Sequence, residues 1–365
     1  MFNIEQIGKL LSTLQAPALL VHPEYCSRVR HRLSKCTLCS DYCPTKAIEW
    51  DGSTLQVSPD ECTSCGICSA VCPNGAFEAL KPSDAEILEK VRQLLPNQKD
   101  IVFGCNPERS DKESSAILVP CLSRLNEGIL LAAVALGAKA VYLSPGQCEG
   151  CKYEARFQLA KEVVKNANQA LGFFGLPELV SFRAAGEVEV RLQEASRREF
   201  LANLVQGAKK SGSVLAVSML DQIGEKPPEK KRGALPVYLP VKRQLLLHSM
   251  RKFGNPTVGV VKSPLFCQFG VTDDCTGCQM CAFFCPSGAL IKYEGDGKFG
   301  VAFKASDCTG CGLCADICYK QAVQLSPEID LRKVINRSQD IFLMRTQPVS
   351  LENKNIDWKS ILGLK

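Results

Sequence analysis

Histidine is nearly missing from this chain: His22, His31 and His248 are the only three among 365 residues. Only His31 falls near a cysteine motif, so chemistry built on imidazole has little to work with. No apolar run approaches the roughly 18 residues that a membrane helix needs. The best stretch, Ile129 to Leu143, is broken by Gly137 and Lys139, and no span is expected. The opening MFNIEQIGKLLSTLQ has no basic start leading into an apolar core and no paired arginines. No export signal is therefore expected. The expected home is a reducing cytoplasm, with any membrane association made through partners. The 45% apolar content suffices for two or three ordinary domains.

Cysteine is what the chain has in excess, 21 residues in all. Sixteen fall into four copies of one spacing, two near each end. Three copies are unbroken: Cys62-x2-Cys65-x2-Cys68-x3-Cys72, Cys275-x2-Cys278-x2-Cys281-x3-Cys285 and Cys308-x2-Cys311-x2-Cys314-x3-Cys318. The fourth is stretched, Cys26-x9-Cys36-x2-Cys39-x3-Cys43. In such a run the first three cysteines wrap one [4Fe–4S] cubane, and the last ligates the cluster of the neighbouring run. Two runs together make a two-cluster ferredoxin unit, so two units are expected. A secreted disulfide scaffold fails as an explanation, because metal-type spacing sits in a long chain without an export signal. Zinc sites use separated CxxC pairs, unlike these runs.

Crossing the last cysteines gives explicit sites. Cluster 1 takes Cys26, Cys36, Cys39 and Cys72; cluster 2 takes Cys62, Cys65, Cys68 and Cys43. Cluster 3 takes Cys275, Cys278, Cys281 and Cys318; cluster 4 takes Cys308, Cys311, Cys314 and Cys285. The long loop after Cys26 can still close, because closure entropy grows slowly with length. The open alternatives there are a three-cysteine cluster, or His31 or His22 in place of Cys26. Cys267 is left over and is expected to be a small core residue. Gly66, Gly277, Gly310 and Gly312 let backbone N–H groups approach the sulfurs. Pro44, Pro73 and Pro286 redirect the chain after the crossing cysteine, where the last run has Tyr319.

The formal charge of +6 counts every cysteine as neutral. Each cubane on four thiolates adds about −2 when oxidised, and with one further site of similar charge the loaded chain comes to about −4. The surplus Lys and Arg thus balance buried anionic clusters, which weakens any nucleic-acid reading. The basic Lys230-Lys231-Arg232 lies in a polar linker, Gly224–Gly233, with no nearby aromatics for base stacking.

The expected fold class is two α+β ferredoxin-like dicluster modules around a central α/β domain with a small parallel sheet. The expected divisions are 1–82 for the first unit, 83–212 for the α/β domain and 213–254 for a linker with an amphipathic helix. Residues 255–327 make the second unit and 328–365 a docking tail. At the start, Ile4, Ile7, Leu10, Leu11 and Leu14 form one helical stripe. Ala47–Trp50 and Thr54–Val57 read as a hairpin about Asp51-Gly52, and the plan recurs at Ala289–Tyr293 and Gly300–Phe303. Gly295 to Gly300 matches a dinucleotide-loop pattern by letters, but a strand follows where a helix is needed, so it reads as a turn. Ser83-Asp84-Ala85-Glu86 is a capping box. Strands are expected at Asp100–Phe103, Ala116–Val119, Lys139–Leu143 and Leu179–Phe182. Helices are expected at Leu125–Leu136, Lys152–Leu171 and Glu194–Lys209 between and after them. That alternation predicts a parallel sheet. Val241–Phe253 reads as an amphipathic helix, with Leu245, Leu246, Met250 and Phe253 opposite Lys242, Arg243, Arg251 and Lys252. Interdomain packing is its expected use.

Cys105, Cys121, Cys148 and Cys151 lie in the α/β segment. Three strands should bring them to one sheet edge, where such folds bind ligands. Four convergent thiolates suit an iron–sulfur cluster or zinc. The stretch from Ile101 to about Ala185, with FGCNP and VPCLSRLNEGILLAAVALGAKAVYLSPGQCEGCKYE, resembles the iron–sulfur delta subunit of hydrogenases linked to heterodisulfide reductase. That resemblance implies one [2Fe–2S] cluster on Cys105, Cys121, Cys148 and Cys151. It also implies electron relay between a catalytic subunit and a heterodisulfide-reductase-type flavoprotein. The flanking units resemble bacterial two-cluster ferredoxins.

The function expected is a multicluster electron-transfer subunit of a cytoplasmic complex, not a catalytic chain. Its expected partners are a flavin or heterodisulfide-reductase-like subunit and a hydrogenase, dehydrogenase or tungsten/molybdenum oxidoreductase. The alternative is a stand-alone thiol or sulfur reductase using Cys148 and Cys151, with Glu149 and Tyr153 nearby. A redox-sensing or nucleic-acid-binding module ranks last.

Overall fold

A computed structural model of the protein describes residues 19–105, 116–183, 235–295 and 298–345. The stripe at 1–16, the helix expected at Glu194–Lys209, the linker Gly224–Gly233 and Trp358 lie outside the described residues.

The first unit opens with β1 (Leu19–Val21) and carries the hairpin of β2 (Ile48–Trp50) and β3 (Leu55–Val57), Trp50 opposite Leu55. The turn is held by Asp51. Its carboxylate accepts the backbone N–H of Ser53 and Thr54 at 2.9 and 2.8 Å and both their hydroxyls. These bonds keep its pKa well below the usual carboxylate range. The unit closes with β4 (Phe77–Ala79), antiparallel to β1 with Leu19 opposite Ala79.

The central segment builds one four-stranded sheet. Its strands are β5 (Asp100–Gly104), β6 (Ala116–Leu118), β7 (Ala140–Ser144) and β8 (Val180–Phe182), all parallel, in the order β6-β5-β7-β8. The alternation of strand and helix in the sequence predicts this arrangement. Ile101, Phe103, Val141 and Leu143 are fully buried in it. The helix Asp84–Leu94 starts at a complete capping box on Ser83 and Glu86 and buries Ile87, Leu88 and Val91. The helix Glu127–Ala135 is capped by the Asn126 side chain, which accepts from the backbone N–H of Ile129. Gly128 through Ala133 are all buried, because another helix, Val241–Lys252, covers its outer side. Gly128 is required there: a Cβ would lie 2.5 Å from the Lys242 carbonyl oxygen. The long helix expected from Lys152 begins only at Phe157. The preceding Glu154–Arg156 forms a tighter turn, and Tyr153 is buried against Cys65, Ile67 and Cys121.

The last part contains β9 (Val260–Lys262), β10 (Gln268–Val271), β11 (Leu290–Gly295), β12 (Lys298–Lys304), β13 (Val323–Ser326), β14 (Glu328–Asp330) and β15 (Gln339–Arg345). β10 pairs with β13, β9 with β14, and β11-β12-β15 form a three-stranded antiparallel sheet. Residues 328–345 are thus woven into this unit, with Ile329, Leu331 and Val334 buried and Ile341 exposed. On the helix Val241–Lys252, Arg243 is buried along with Leu245, Leu246 and Met250. Among the described residues no helix is long and apolar enough to cross a membrane.

Candidate iron–sulfur centres

The three unbroken runs share one backbone shape. The residues before and after the second cysteine, Ser64 and Gly66, Gly277 and Gln279, Gly310 and Gly312, all have positive φ between 55° and 78°. Two left-handed residues flanking one cysteine curl the loop so that three thiols face a common centre. The third residue after the last cysteine is also left-handed in all four runs: Lys46, Gly75, Gly288 and Gln321. It turns the chain back toward the following strand. The stretched first run lacks the left-handed pair around its second cysteine, Cys36.

These shapes gather thiols that are distant in sequence. Cys26, Cys36, Cys39 and Cys72 line one cavity, walled by Ile48, Leu55, Phe77 and Trp50. Neither His22 nor His31 lines it. His31 is buried against Phe284, ring centroids 4.8 Å apart. Cys43, Cys62, Cys65 and Cys68 line a second cavity. Cys275, Cys278, Cys281 and Cys318 line a third, which Cys314 also borders. Burial raises the pKa of Cys285, Cys311 and Cys314, and close neighbours add to it: Cys308 on Cys285, Cys285 and Cys308 on Cys311, and all three on Cys314. In the central domain burial raises the pKa of Cys121, with Cys105 adding to it, and burial raises that of Cys148, with Cys105 and Cys151 adding to it. The Gly146 N–H points at the Cys105 sulfur at 3.4 Å. Cys151 is exposed, and the loop after Cys105 lies outside the described residues. Among the described residues no three His, Cys, Asp or Glu side chains close on a single-ion position.

The donor sets fit clusters. Burial pushes Cys39 up to about 12, with Cys72, Cys26 and Cys36 adding to it. Burial and Cys285 take Cys311 to about 12, and burial with Cys105 and Cys65 takes Cys121 to about 11. Cys68, Cys281 and Cys314 rise further for the same reasons. Thiols this reluctant to ionise need a cationic core in place of their protons, and iron supplies one. The first cavity also has donors to spare. Arg28 Nε and Trp50 Nε1 are buried in its wall without a hydrogen-bond partner, the Arg28 guanidinium 3.9 Å over the Trp50 ring. Such groups suit the anionic sulfides of a cluster.

Several residues that no motif marks stand around these sets. Arg243 donates to the carbonyls of Ser306, Leu265 and Ala305 at 2.8, 2.6 and 3.2 Å. Burial lowers its pKa to about 10 against the pull of Cys308, Asp307 and Cys267. Cys267 sits beside Cys308, and the two thiols share a hydrogen bond. Arg30, also buried, faces Cys285 and Cys311. Arg124 is wholly buried, with Nη2 donating to Asp84 Oδ1 at 2.7 Å and to the Pro82 carbonyl at 2.9 Å. A buried arginine carries no local signature, since hydropathy assigns it to solvent.

The sequence matches the 4Fe-4S dicluster domain at residues 34–76 and 274–322. It matches the methyl-viologen-reducing hydrogenase delta subunit at residues 103–206, a span holding Cys105, Cys121, Cys148 and Cys151. Cys26 precedes the first matched segment. A 46-residue stretch is 43% identical to an uncharacterized ferredoxin of Methanocaldococcus jannaschii, covering 12% of this chain and 74% of that protein. A 59-residue stretch is 37% identical to a ferredoxin of Rickettsia felis, covering 16% of this chain and about half, 51%, of that one. No solved structure matches. The chain belongs to the 4Fe–4S dicluster ferredoxins in duplicate, with a hydrogenase delta-subunit domain between the copies, and its work is iron–sulfur electron transfer.

Proposed function

We propose that the chain is a wiring subunit with five redox centres, four [4Fe–4S] clusters and one [2Fe–2S] cluster. The terminal units, α+β and ferredoxin-like, hold the cubanes on the crossed sets: Cys26, Cys36, Cys39 and Cys72; Cys62, Cys65, Cys68 and Cys43; Cys275, Cys278, Cys281 and Cys318; Cys308, Cys311, Cys314 and Cys285. Cys105, Cys121, Cys148 and Cys151 hold the binuclear cluster. The chain passes single electrons between a catalytic oxidoreductase and a flavin or heterodisulfide-reductase-like subunit, and the partners perform the two-electron chemistry. The observation that carries this reading is the grouping of thiols from separate runs around shared cavities. The iron supplies one-electron capacity. The protein's own groups bury it, donate hydrogen bonds to sulfur and set its potential.

The test is anaerobic purification with iron, sulfide and zinc analysis and low-temperature EPR. About 18 irons per chain with both cubane and binuclear signals is the expected result. Fewer than about 12 irons would remove a whole unit or the crossing scheme. Stoichiometric zinc in place of the binuclear signal would make the central domain structural.

A further inference from the structure

In sequence the central domain lies between the two ferredoxin units, which would put its centre in the middle of any route. The contacts are arranged differently. Cys121 packs in one small buried cluster with Cys65 and Ile67 of the first unit. Arg156, just after the Cys148–Cys151 loop, donates from Nη2 to the Cys43 carbonyl at 3.3 Å. Both Cys65 and Cys43 belong to the second thiol set. The central centre therefore abuts cluster 2.

The other side of the first unit meets the C-terminal unit directly. Ser27 follows Cys26, and Asn74 follows Cys72-Pro73; both cysteines belong to the first set. The Asn74 amide donates to Ser27 Oγ at 2.7 Å, and Thr309, between Cys308 and Cys311, donates to Asn74 Oδ1 at 3.0 Å. The Ser27 hydroxyl also reaches the Cys311 thiol. Arg30 donates to the carbonyls of Pro236 and of Phe284, the residue before Cys285. The Lys35 N–H, one residue before Cys36, donates to Asp316 Oδ2 at 2.9 Å. The Asn74–Thr309, Ser27–Cys311 and Arg30–Phe284 contacts join the neighbourhood of cluster 1 to that of cluster 4, and Asp316 lies between Cys314 of cluster 4 and Cys318 of cluster 3. Within each unit the paired sets adjoin, as Cys39 faces Cys68 and Cys281 faces Cys314.

We propose that the centres stand in single file, binuclear centre, cluster 2, cluster 1, cluster 4, cluster 3, and that electrons cross between the two ferredoxin units at the Ser27–Asn74–Thr309 bridge. The first unit is then the middle of the wire, and the binuclear centre and cluster 3 are its two ends. Hydrogen-bonded contacts from one ligand loop to the next keep the crossing short and packed, which a bridge through the central domain would not do. This order rests on the ligand sets proposed above.

The order is tested in the full-length, anaerobically purified protein by EPR of the reduced clusters. Removing cluster 1 with Cys36→Ser and Cys39→Ser should lower the half-saturation power of the cluster 4 signal several-fold and narrow it, because its one partner across the joint is gone. Removing cluster 2 with Cys62→Ser and Cys65→Ser should leave the cluster 4 signal unchanged. If both removals act alike, or only the second acts, the order is wrong. A stepwise reductive titration of the unaltered protein gives the same answer without mutation. The cluster 4 line should broaden as cluster 1 fills and not as cluster 2 fills, and the reverse overturns the proposal. Unaltered protein short of four cubanes would instead sink the ligand sets, so the two failures are told apart.

Discussion

Gly66 and Arg124 touch across the seam between the first ferredoxin unit and the central domain. A Cβ on Gly66, whose φ is +74°, would lie 2.7 Å from Arg124 Cγ. The Arg124 side chain is pinned by Asp84 and the Pro82 carbonyl, so it has no room to retreat.

Gly66→Ala should therefore meet two penalties. The left-handed backbone costs an alanine about 1–2 kcal/mol, and the collision adds about 1–3 kcal/mol of overpacking. Gly150→Ala is the control, because Gly150 has φ +73° but nothing within 4 Å of its Cβ position. It should cost only about 1–2 kcal/mol. Denaturant melts of the two anaerobic holo-proteins check this. Equal losses would show that the Arg124 contact gives way freely.

Arg243 puts a fixed positive charge beside Cys308 while holding three backbone carbonyls. Arg243→Met strands those carbonyls and should cost on the order of 3 kcal/mol. It should also make cluster 4 harder to reduce by tens of millivolts, where about 59 mV is a tenfold change for one electron. Arg243→Lys keeps the charge but not the fork, so it should lose stability while holding more of the potential. EPR redox titration alongside melting separates the two effects. A cluster 4 potential unmoved by methionine would mean that the charge is fully screened.

Cys26 and Cys267 are the two cysteines whose roles spacing leaves open, and they should behave in opposite ways. Cys26→Ser takes one thiolate from the first cavity. It should turn cluster 1 into a three-iron form or empty it, with a loss of about 1 to 4 irons per chain. Cys267→Ser should keep the full iron content and only shift cluster 4, because Cys267 shares a hydrogen bond with Cys308 outside the four crossed ligands. Iron analysis decides both. An iron loss with Cys267→Ser would make it a ligand.

How much of this could be read from the chain depends on range. The cysteine runs, the Asp51 hairpin, the Ser83 capping box and the parallel strands were all legible, since each is set by residues a few positions apart. The contacts between units were not. Asn74 and Thr309 are ordinary turn residues by pattern, and their pairing exists only because two folded bodies dock. Arg243 misled for another reason. Helical periodicity put it on a polar face, but that face meets the Leu265 and Ser306 carbonyls, which need donors more than Arg243 needs water. Tyr153 illustrates a third case, where burial against Cys65 and Cys121 displaced the start of a helix by several residues.

Iron removal should act unevenly, because the cores differ in what they are made of. The core of the first unit is small and partly cysteine: Cys43, Cys68 and Cys72 pack with Tyr25, Ala47, Ile48, Leu55, Ala76 and Phe77. Taking out the clusters removes the centre of that core. The sheet of β5 to β8 is packed by aliphatic and aromatic side chains such as Ile101, Phe103, Ile129, Leu143 and Leu171, which need no metal. Chelation of the oxidised protein should thus abolish hydrogen-exchange protection in β1 to β4 while β5 and β7 stay protected. Far-UV circular dichroism should keep the signal of the helices Glu127–Ala135 and Phe157–Gly172. Protection lost equally in both places would mean that the central sheet, too, depends on iron for its stability.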